Sequence, residues 1–495
     1  MATSISSPTY TNTLINLISV LKQKLRAPYH EDDTISACGN APLAILQTRP
    51  DDVIKLAHEK LHVFPFKDVS SCWRRLYTEA ALWKALKILK SVESSLENGD
   101  AAKTRICEGI GEQEDWLSDV VKTLDMAIIL TGAPLREDLI ASIMRELGKI
   151  LEETFKAEAS ISCLPSSTKD TSLKERPLKR QKLIEDPNST MHDIPTAFSW
   201  TNSPHPKLRY PIPRVSAPSI SSFSTHILTQ RTPLIITYAL NQWPALSNHP
   251  WSNPRYLLSQ TLHGRRLVPI ELGRSYTDED WGQRITSFGS FLNEHMLAPT
   301  DANGERLKGY LAQHDLLSQV PALRADVSIP DYCYVDPPEA EEGVPSAPPL
   351  EEPLLNAWFG PAGTISPLHT DPYHNILTQV VGHKYIRLYA PSQTSNLYPR
   401  GIGDDGVDMG NTSLVDISEG IALFEKDGSD ADTDGHSSED LGARRQEFLE
   451  SFPRFNETKY VEGILGPGEC LYVPQGWWHY VQSLDVSISV SFWWN

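Results

Sequence analysis

The chain has little of what would mark the simpler alternatives. Its 495 residues include six cysteines, at positions 38, 72, 107, 163, 333 and 470, and no two of them stand in a C-x-x-C spacing. That argues against a disulfide-stapled scaffold and against a cysteine-rich zinc module, and it suits idle thiols in a reducing compartment. No apolar run reaches the roughly 18 residues that a membrane-spanning helix requires. The opening stretch, MATSISSPTYTNTLINLISVLKQKLRAP, lacks a basic segment ahead of its apolar residues, so it does not read as a secretory leader. The expectation is a nuclear or cytoplasmic protein with no membrane partner. Positive charge is also short: 45 Lys and Arg stand against 63 Asp and Glu, a net charge of -18. Such a field disfavours direct binding to nucleic acid.

What is present falls into three regions. Residues 1–162 carry helical spacing. Leu14, Leu17, Ile18, Leu21 and Leu25 form one stripe, Leu76, Ala80, Trp83, Leu86 and Leu89 another. Trp116, Leu117, Val120, Leu124 and Ile128 make a third, TGAP interrupts at 131–134, and Leu139, Ile143, Leu147 and Ile150 continue on a further helix. This predicts a separate all-α domain, a bundle or paired-helix array that offers a surface for a partner protein. Residues 163–214 hold eight prolines among Ser, Thr and Lys, which predicts a disordered linker. Its basic run KERPLKRQK, 174–182, reads as a solvated charge cluster, an import signal or a polyanion contact.

From 215 to 495 short β-branched and aromatic runs dominate: PLIITYAL, RRLVPIEL, GTISPLHTD, KYIRLYAP, GECLYVP and VSISVSFWW. They predict a barrel or sandwich, which with the helical region makes an α+β chain. Asp278, Glu279 and Asp280 suggest a helix start, and Gly264-Arg265-Arg266 reads as surface. Residues 425–443 contain seven acids against one Lys and predict a disordered insertion. Their spacing does not complete a calcium loop, which leaves His436 solvent-exposed.

The chemistry is concentrated in His369-Thr370-Asp371. On a strand, positions i and i+2 share a face, so His369 and Asp371 can converge on one ion while Thr370 turns away. His479, in PQGWWHYV, follows two turns, at Gly466-Pro467-Gly468 and at Pro474–Gly476, that can bring it over the same pocket. Two imidazoles and one carboxylate leave three positions open on an octahedral iron, enough for a bidentate oxo-acid and dioxygen.

The stretches NAWFGPAGTISPLHTDPYHNILTQVVGHKYIRLYAP (356–391) and PGECLYVPQGWWHYVQSLDVSISVSFWW (467–494) closely resemble the Jumonji-C (JmjC) oxygenases. The likeness extends upstream through HILTQRTPLIITYALNQWP, VPIELGRSYTDEDWGQ, GYLAQHDLL and SIPDYC. The resemblance implies a double-stranded β-helix, a cupin-like jelly roll, that binds Fe(II) through His369, Asp371 and His479. It implies 2-oxoglutarate as co-substrate with dioxygen, and oxo-acid contacts from Tyr332, Ser366, Asn375, Lys384 and Trp493. Lys384 would supply a fixed positive charge to the distal carboxylate. Two substrate classes fit such an enzyme: arginine hydroxylation in a partner protein, or removal of methyl groups from histone lysine. The cysteines are too sparse for a zinc-binding histone reader, which favours protein hydroxylation, and the acidic chain suits a basic peptide of either kind. A cupin-like scaffold without catalysis is the reading from another class. It leaves the full set of metal and oxo-acid residues unexplained.

Overall fold

The structure is a computed structural model that describes residues 10–63, 69–107, 109, 113–162, 193–200, 204–273, 275–277, 281–298, 308–341, 343–345, 347–403, 406–424 and 438–495. The basic run 174–182, Cys163, the acids 278–280 and His436 lie outside the described residues.

The first part of the chain is built on helices α1 Thr11–Arg26, α2 Asn40–Ile45, α3 Pro50–Leu61, α4 Ser71–Glu97, α5 Ala101–Thr104, α6 Trp116–Thr131 and α7 Glu137–Ser162. The helical spacing of the sequence becomes burial: Leu14, Leu17, Ile18, Leu21 and Leu25 are the covered stripe of α1. On α4, Leu76, Ala80, Trp83, Leu86 and Leu89 are all buried. The Asp115 carboxylate caps α6 by accepting from the Ser118 N–H at 2.7 Å. Gly132, at φ 72°, ends it in the left-handed conformation that glycine adopts without a Cβ penalty.

Thirteen strands are described: β1 Arg214–Ser216, β2 Leu234–Thr237, β3 Leu267–Leu272, β4 Gly282–Ser287, β5 Gly309–His314, β6 Leu354–Gly360, β7 Ile365–His369, β8 His374–Val381, β9 Lys384–Tyr389, β10 Tyr460–Leu465, β11 Cys470–Val473, β12 Trp478–Ser483 and β13 Ser487–Trp494. They form two sheets. The larger runs β1-β2-β11-β8-β13-β6-β5-β3-β4 and the smaller β10-β9-β12-β7. From β8 onward the chain passes back and forth between them, the winding of a double-stranded β-helix. Strands β8, β9 and β13 are buried at every residue, as strands covered on both faces are. Trp243, Trp251, Phe223, Phe288 and Phe291 cover the outside of the large sheet. Between the sheets lie Leu377, Ile386, Leu388, Leu465, Leu471 and Val481.

Four expectations change. The proline-rich stretch 163–214 is anchored from Ile194 on: Ile194 and Phe198 sink into the core outside the large sheet, and Ile212 enters the core between the sheets. The prolines obscured a few apolar anchors that tertiary contacts hold. Arg265 and Arg266 are buried rather than surface, 1% and 3% exposed. Arg265 pairs with Asp115 at 3.1 Å and Arg266 with Asp125 at 2.7 Å. Both carboxylates come from the helical region, so no local pattern could announce that these charges would be matched. After the acids at 278–280 the chain forms β4, not a helix, because pairing with β3 from Leu267↔Ser287 to Leu272↔Gly282 decides its conformation. Disorder was expected over 425–443, but residues 438–443 open the helix Ser438–Ser451, and residues 425–437 lie outside the described residues.

Candidate active site

Strand β12 lies between β7 and β9, and its register sets His479 directly opposite His369. The two imidazole rings are 4.2 Å apart between centroids. Strand β7 ends at His369, and Asp371 follows in the β7–β8 connection, where the Thr370 N–H donates to the Asn411 carbonyl at 2.9 Å. The Asp371 carboxylate reaches both rings, 3.7 Å from His369 Nε2 and 3.5 Å from His479 Nε2. One ligand atom from each residue lies within 4.8 Å of the other two.

The orientation of the rings has a local cause. His369 Nδ1 is 2.7 Å from the Pro367 carbonyl and His479 Nδ1 is 3.0 Å from the Trp477 carbonyl. A ring that donates Nδ1–H to a carbonyl keeps its Nε2 lone pair for a metal. Burial, and then the neighbouring His479, push the His369 imidazole down to about 4. Burial alone would raise Asp371, but His479, His369 and a hydrogen bond from Asn375 together bring it below the ordinary carboxylate value. His479 is the converse: burial would lower it, and Asp371 outweighs burial and raises it. An acid held ionised between two imidazoles is a site into which a cation fits.

A cleft that opens to solvent lies above this triad. Tyr310, Ser366, Asn375 and Lys384 supply its polar lining, and Trp358, Leu377, Ile386, Leu471, Val473 and Val481 its apolar walls. Lys384 and Ile386 alternate inward on β9, while Tyr385 and Tyr389 face the core on the other side of the small sheet. Lys384 is buried, and its Nζ is 3.3 Å from the Tyr310 hydroxyl. Among the described residues no carboxylate pairs with it, and burial pushes the ammonium down to about 7. The Tyr310 hydroxyl is raised by burial, against a hydrogen bond with Ser366. The Oδ1 of Asn375 is buried without a partner. An uncompensated ammonium and an orphaned amide oxygen are groups that a bound polar ligand would satisfy.

The structure therefore brings Ser366, Asn375 and Lys384 into one cleft with His369, Asp371 and His479. It does not bring two of the expected residues there. Tyr332 packs on Phe223, 4.8 Å between ring centroids, and donates its hydroxyl to the Pro218 carbonyl at 2.9 Å. It belongs to the core outside the large sheet. Trp493 pairs with Asn375 across β13 and β8 but packs on Tyr373 at 5.8 Å and is not a wall of the cleft. Tyr310, not Tyr332, is the tyrosine that lines the cleft. Its segment, GYLAQHDLL, was visible as a match, but the pairing of β5 with β6 that turns its ring inward was not.

A second residue that sequence reasoning missed is Glu271. It pairs with Tyr310 across β3 and β5, so both side chains leave the sheet on the same face. Burial raises its carboxyl. Its charge also bears on Tyr310 and Tyr276, and Tyr276 in turn feels Asp371. An acid thus stands beside Tyr310 on the face of the sheet that carries it.

Comparison with known proteins agrees with the fold. A family model described as Cupin-like domain matches residues 220–495. The chain is similar to lysine-specific demethylase 8 of Danio rerio, 32% identical over 447 residues, which cover 90% of this chain and 87% of that protein. It is similar to lysine-specific demethylase JMJ30 of Arabidopsis thaliana, 33% identical over 449 residues, 89% of this chain and 84% of that one. It is 38% identical to Jumonji C domain-containing protein 5 of Drosophila melanogaster over 284 residues, 57% of this chain and 60% of that protein.

Proposed function

Because this chain belongs to the JmjC family of cupin-like proteins, we propose that it is an Fe(II)- and 2-oxoglutarate-dependent oxygenase acting on a basic side chain of a partner protein. The observation that carries the reading is the meeting of His369, Asp371 and His479 beneath a cleft whose deepest cation, Lys384, has only a hydroxyl for company. The triad would hold the iron, and Lys384, Tyr310, Ser366 and Asn375 would hold the oxo-acid. Bound together, iron and oxo-acid supply the oxidation of a C–H bond by dioxygen, coupled to decarboxylation of the oxo-acid to succinate.

The chain's own residues do the rest. Lys384 carries the charge that a distal carboxylate needs, and Tyr310 and Ser366 hold hydroxyls beside it. Leu377, Ile386, Leu471, Val473 and Val481 keep the cleft apolar, which strengthens each polar contact within it and excludes bulk water. The carbonyls of Pro367 and Trp477 keep the two imidazoles aimed at the metal.

For the substrate, the sequence favoured arginine hydroxylation, whereas the names carried by the relatives put methyl-lysine demethylation first. Both are oxidation of a C–H bond next to nitrogen or along a cationic side chain. Demethylation differs in that the hydroxymethyl product breaks down to formaldehyde and the amine. One observation keeps arginine as the second reading: Glu271 offers a carboxylate, which a guanidinium meets with paired N–H donors and a fully methylated ammonium cannot. A net charge of -18 suits a basic partner in either case. Such substrates place the enzyme in the nucleus or cytoplasm, with the helical region available to bind the partner.

The test is anaerobic loading with Fe(II), followed by 2-oxoglutarate turnover on methyl-lysine and arginine peptides with mass analysis. Formaldehyde release with loss of a methyl group supports demethylation, and a stable product heavier by one oxygen supports hydroxylation. His479→Ala should abolish iron retention and turnover together. A folded wild-type chain that retains no iron would overturn the reading.

A further inference from the structure

A second group of ligand-type side chains converges away from the cleft, and none of its members lines that cleft. His383 stands in the turn between β8 and β9, and Asp485 in the turn between β12 and β13. The two turns are held face to face. The Leu484 N–H donates to the His383 carbonyl at 2.8 Å, and Gly382, at φ 70°, leaves no room for a Cβ against the Val486 carbonyl. Asp485 is 3% exposed, and its Oδ2 is 2.8 Å from His383 Nδ1. From the stretch that enters the barrel, exposed His205 brings its imidazole 4.6 Å from that of His383, with the planes 57° apart. One ligand atom from each of His205, His383 and Asp485 lies within 4.8 Å of the other two.

We propose that these three residues form a second metal site, for a borderline divalent cation of the zinc type, distinct from the triad in the cleft. Two imidazoles and a carboxylate are ligands that zinc accepts, with water in the fourth position. Bonds of roughly 2.0–2.1 Å in a tetrahedral shell set neighbouring ligand atoms somewhat over 3 Å apart. The His383–Asp485 contact needs only to open slightly to reach that spacing. The exposed residue, His205, is the one free to swing in. A hydrogen-bonded pair accounts for His383 and Asp485 by themselves and makes no use of His205, whereas a metal uses all three.

The three ligands come from chain positions far apart, so the ion would fasten the entering stretch to two barrel turns. One of those turns leads directly into Lys384. The site thereby joins the path from the helical region to the start of β9, and it calls for no ligand from the oxygenase chemistry.

The test uses the full chain carrying Asp371→Ala and His479→Ala, which disables the triad, stripped with a chelator and equilibrated with Zn(II). This chain should bind one zinc per molecule by elemental analysis, and Co(II) in its place should give the visible absorption of a four-coordinate ion. Adding His205→Ala, at an exposed position, or His383→Gln should weaken zinc binding roughly tenfold or more, with unchanged circular dichroism. If the triad-disabled chain binds no zinc, or if His205→Ala leaves its affinity unchanged, the site does not exist.

Discussion

Burial takes the Lys384 ammonium down to about 7, so near neutral pH the free cleft holds a mixture of charged and neutral lysine. A dicarboxylate binds the charged form. Above pH 7 its binding must therefore bring a proton, and the KM for 2-oxoglutarate should climb roughly tenfold per pH unit over that range. A KM that stays flat between pH 6.5 and about 8.5 would contradict this assignment of Lys384. The same shift acts on folding with a definite sign. The unfolded chain binds more protons at this residue between pH 7 and its ordinary value, so the ligand-free protein gains stability as pH rises through that window. Lys384→Met should raise the KM by roughly 30-fold or more, because removing one partner of a buried charge pair costs about 2–5 kcal/mol, and it should flatten the pH profile. Tyr310→Phe is milder. Losing one hydroxyl contact costs about 0.5–1.5 kcal/mol, so the KM for 2-oxoglutarate should rise several-fold while kcat stays close to wild type. Equal kinetics for Tyr310→Phe and wild type would remove Tyr310 from the oxo-acid site.

At the scale of elements, β3 and α6 are tied by one polar knot. Arg266 donates to both oxygens of Asp125 at 3.0 Å from Nε and to Oδ1 at 2.7 Å from its terminal nitrogen. The Leu267 N–H and the Gln319 amide donate to the same carboxylate, at 2.7 and 3.0 Å. Gln319 Oε1 in turn meets His314 Nε2 at 2.6 Å, on the strand that carries Tyr310. Arg266→Ala leaves the buried Asp125 carboxylate without its cation and should lower stability by about 3–5 kcal/mol in urea unfolding. The double variant with Asp125→Ala should lose less than the sum of the single losses, by about 1–3 kcal/mol. Strict additivity would mean that the two side chains do not act as a pair. The strands themselves were legible to different degrees. Runs such as KYIRLY and SISVSFWW announced β9 and β13 by composition. GQRITS did not announce β4, because its strand character comes from the pairing with β3.

On the scale of the whole molecule, the helical region and the barrel share a desolvated boundary rather than a flexible joint. Arg265 and Arg266 cross it, Leu262 is buried within the helical core, and His263 stacks on Phe155 at 4.9 Å. The two parts should therefore melt as one calorimetric transition in the wild type. Arg265→Ala combined with Arg266→Ala should separate it into two, because each part keeps a core of its own. Two separate transitions in the wild type would show that the boundary does not couple the two parts.

The helices, and His369 and Asp371 of the proposed triad, could be read from sequence because their evidence is local. A stripe repeats every three or four residues, and an H-x-D pair occupies one short segment. The polar lining of the cleft was readable in part, at Ser366, Asn375 and Lys384, through the resemblance that names them. Tertiary structure decided the remainder. Tyr310 rather than Tyr332 faces the cleft because of strand pairing. Arg265 and Arg266 are interior charges because two helix carboxylates, more than a hundred residues earlier, meet them. Whether a buried charge is tolerated depends on the partner that arrives in space, and distance along the chain carries no record of that arrival.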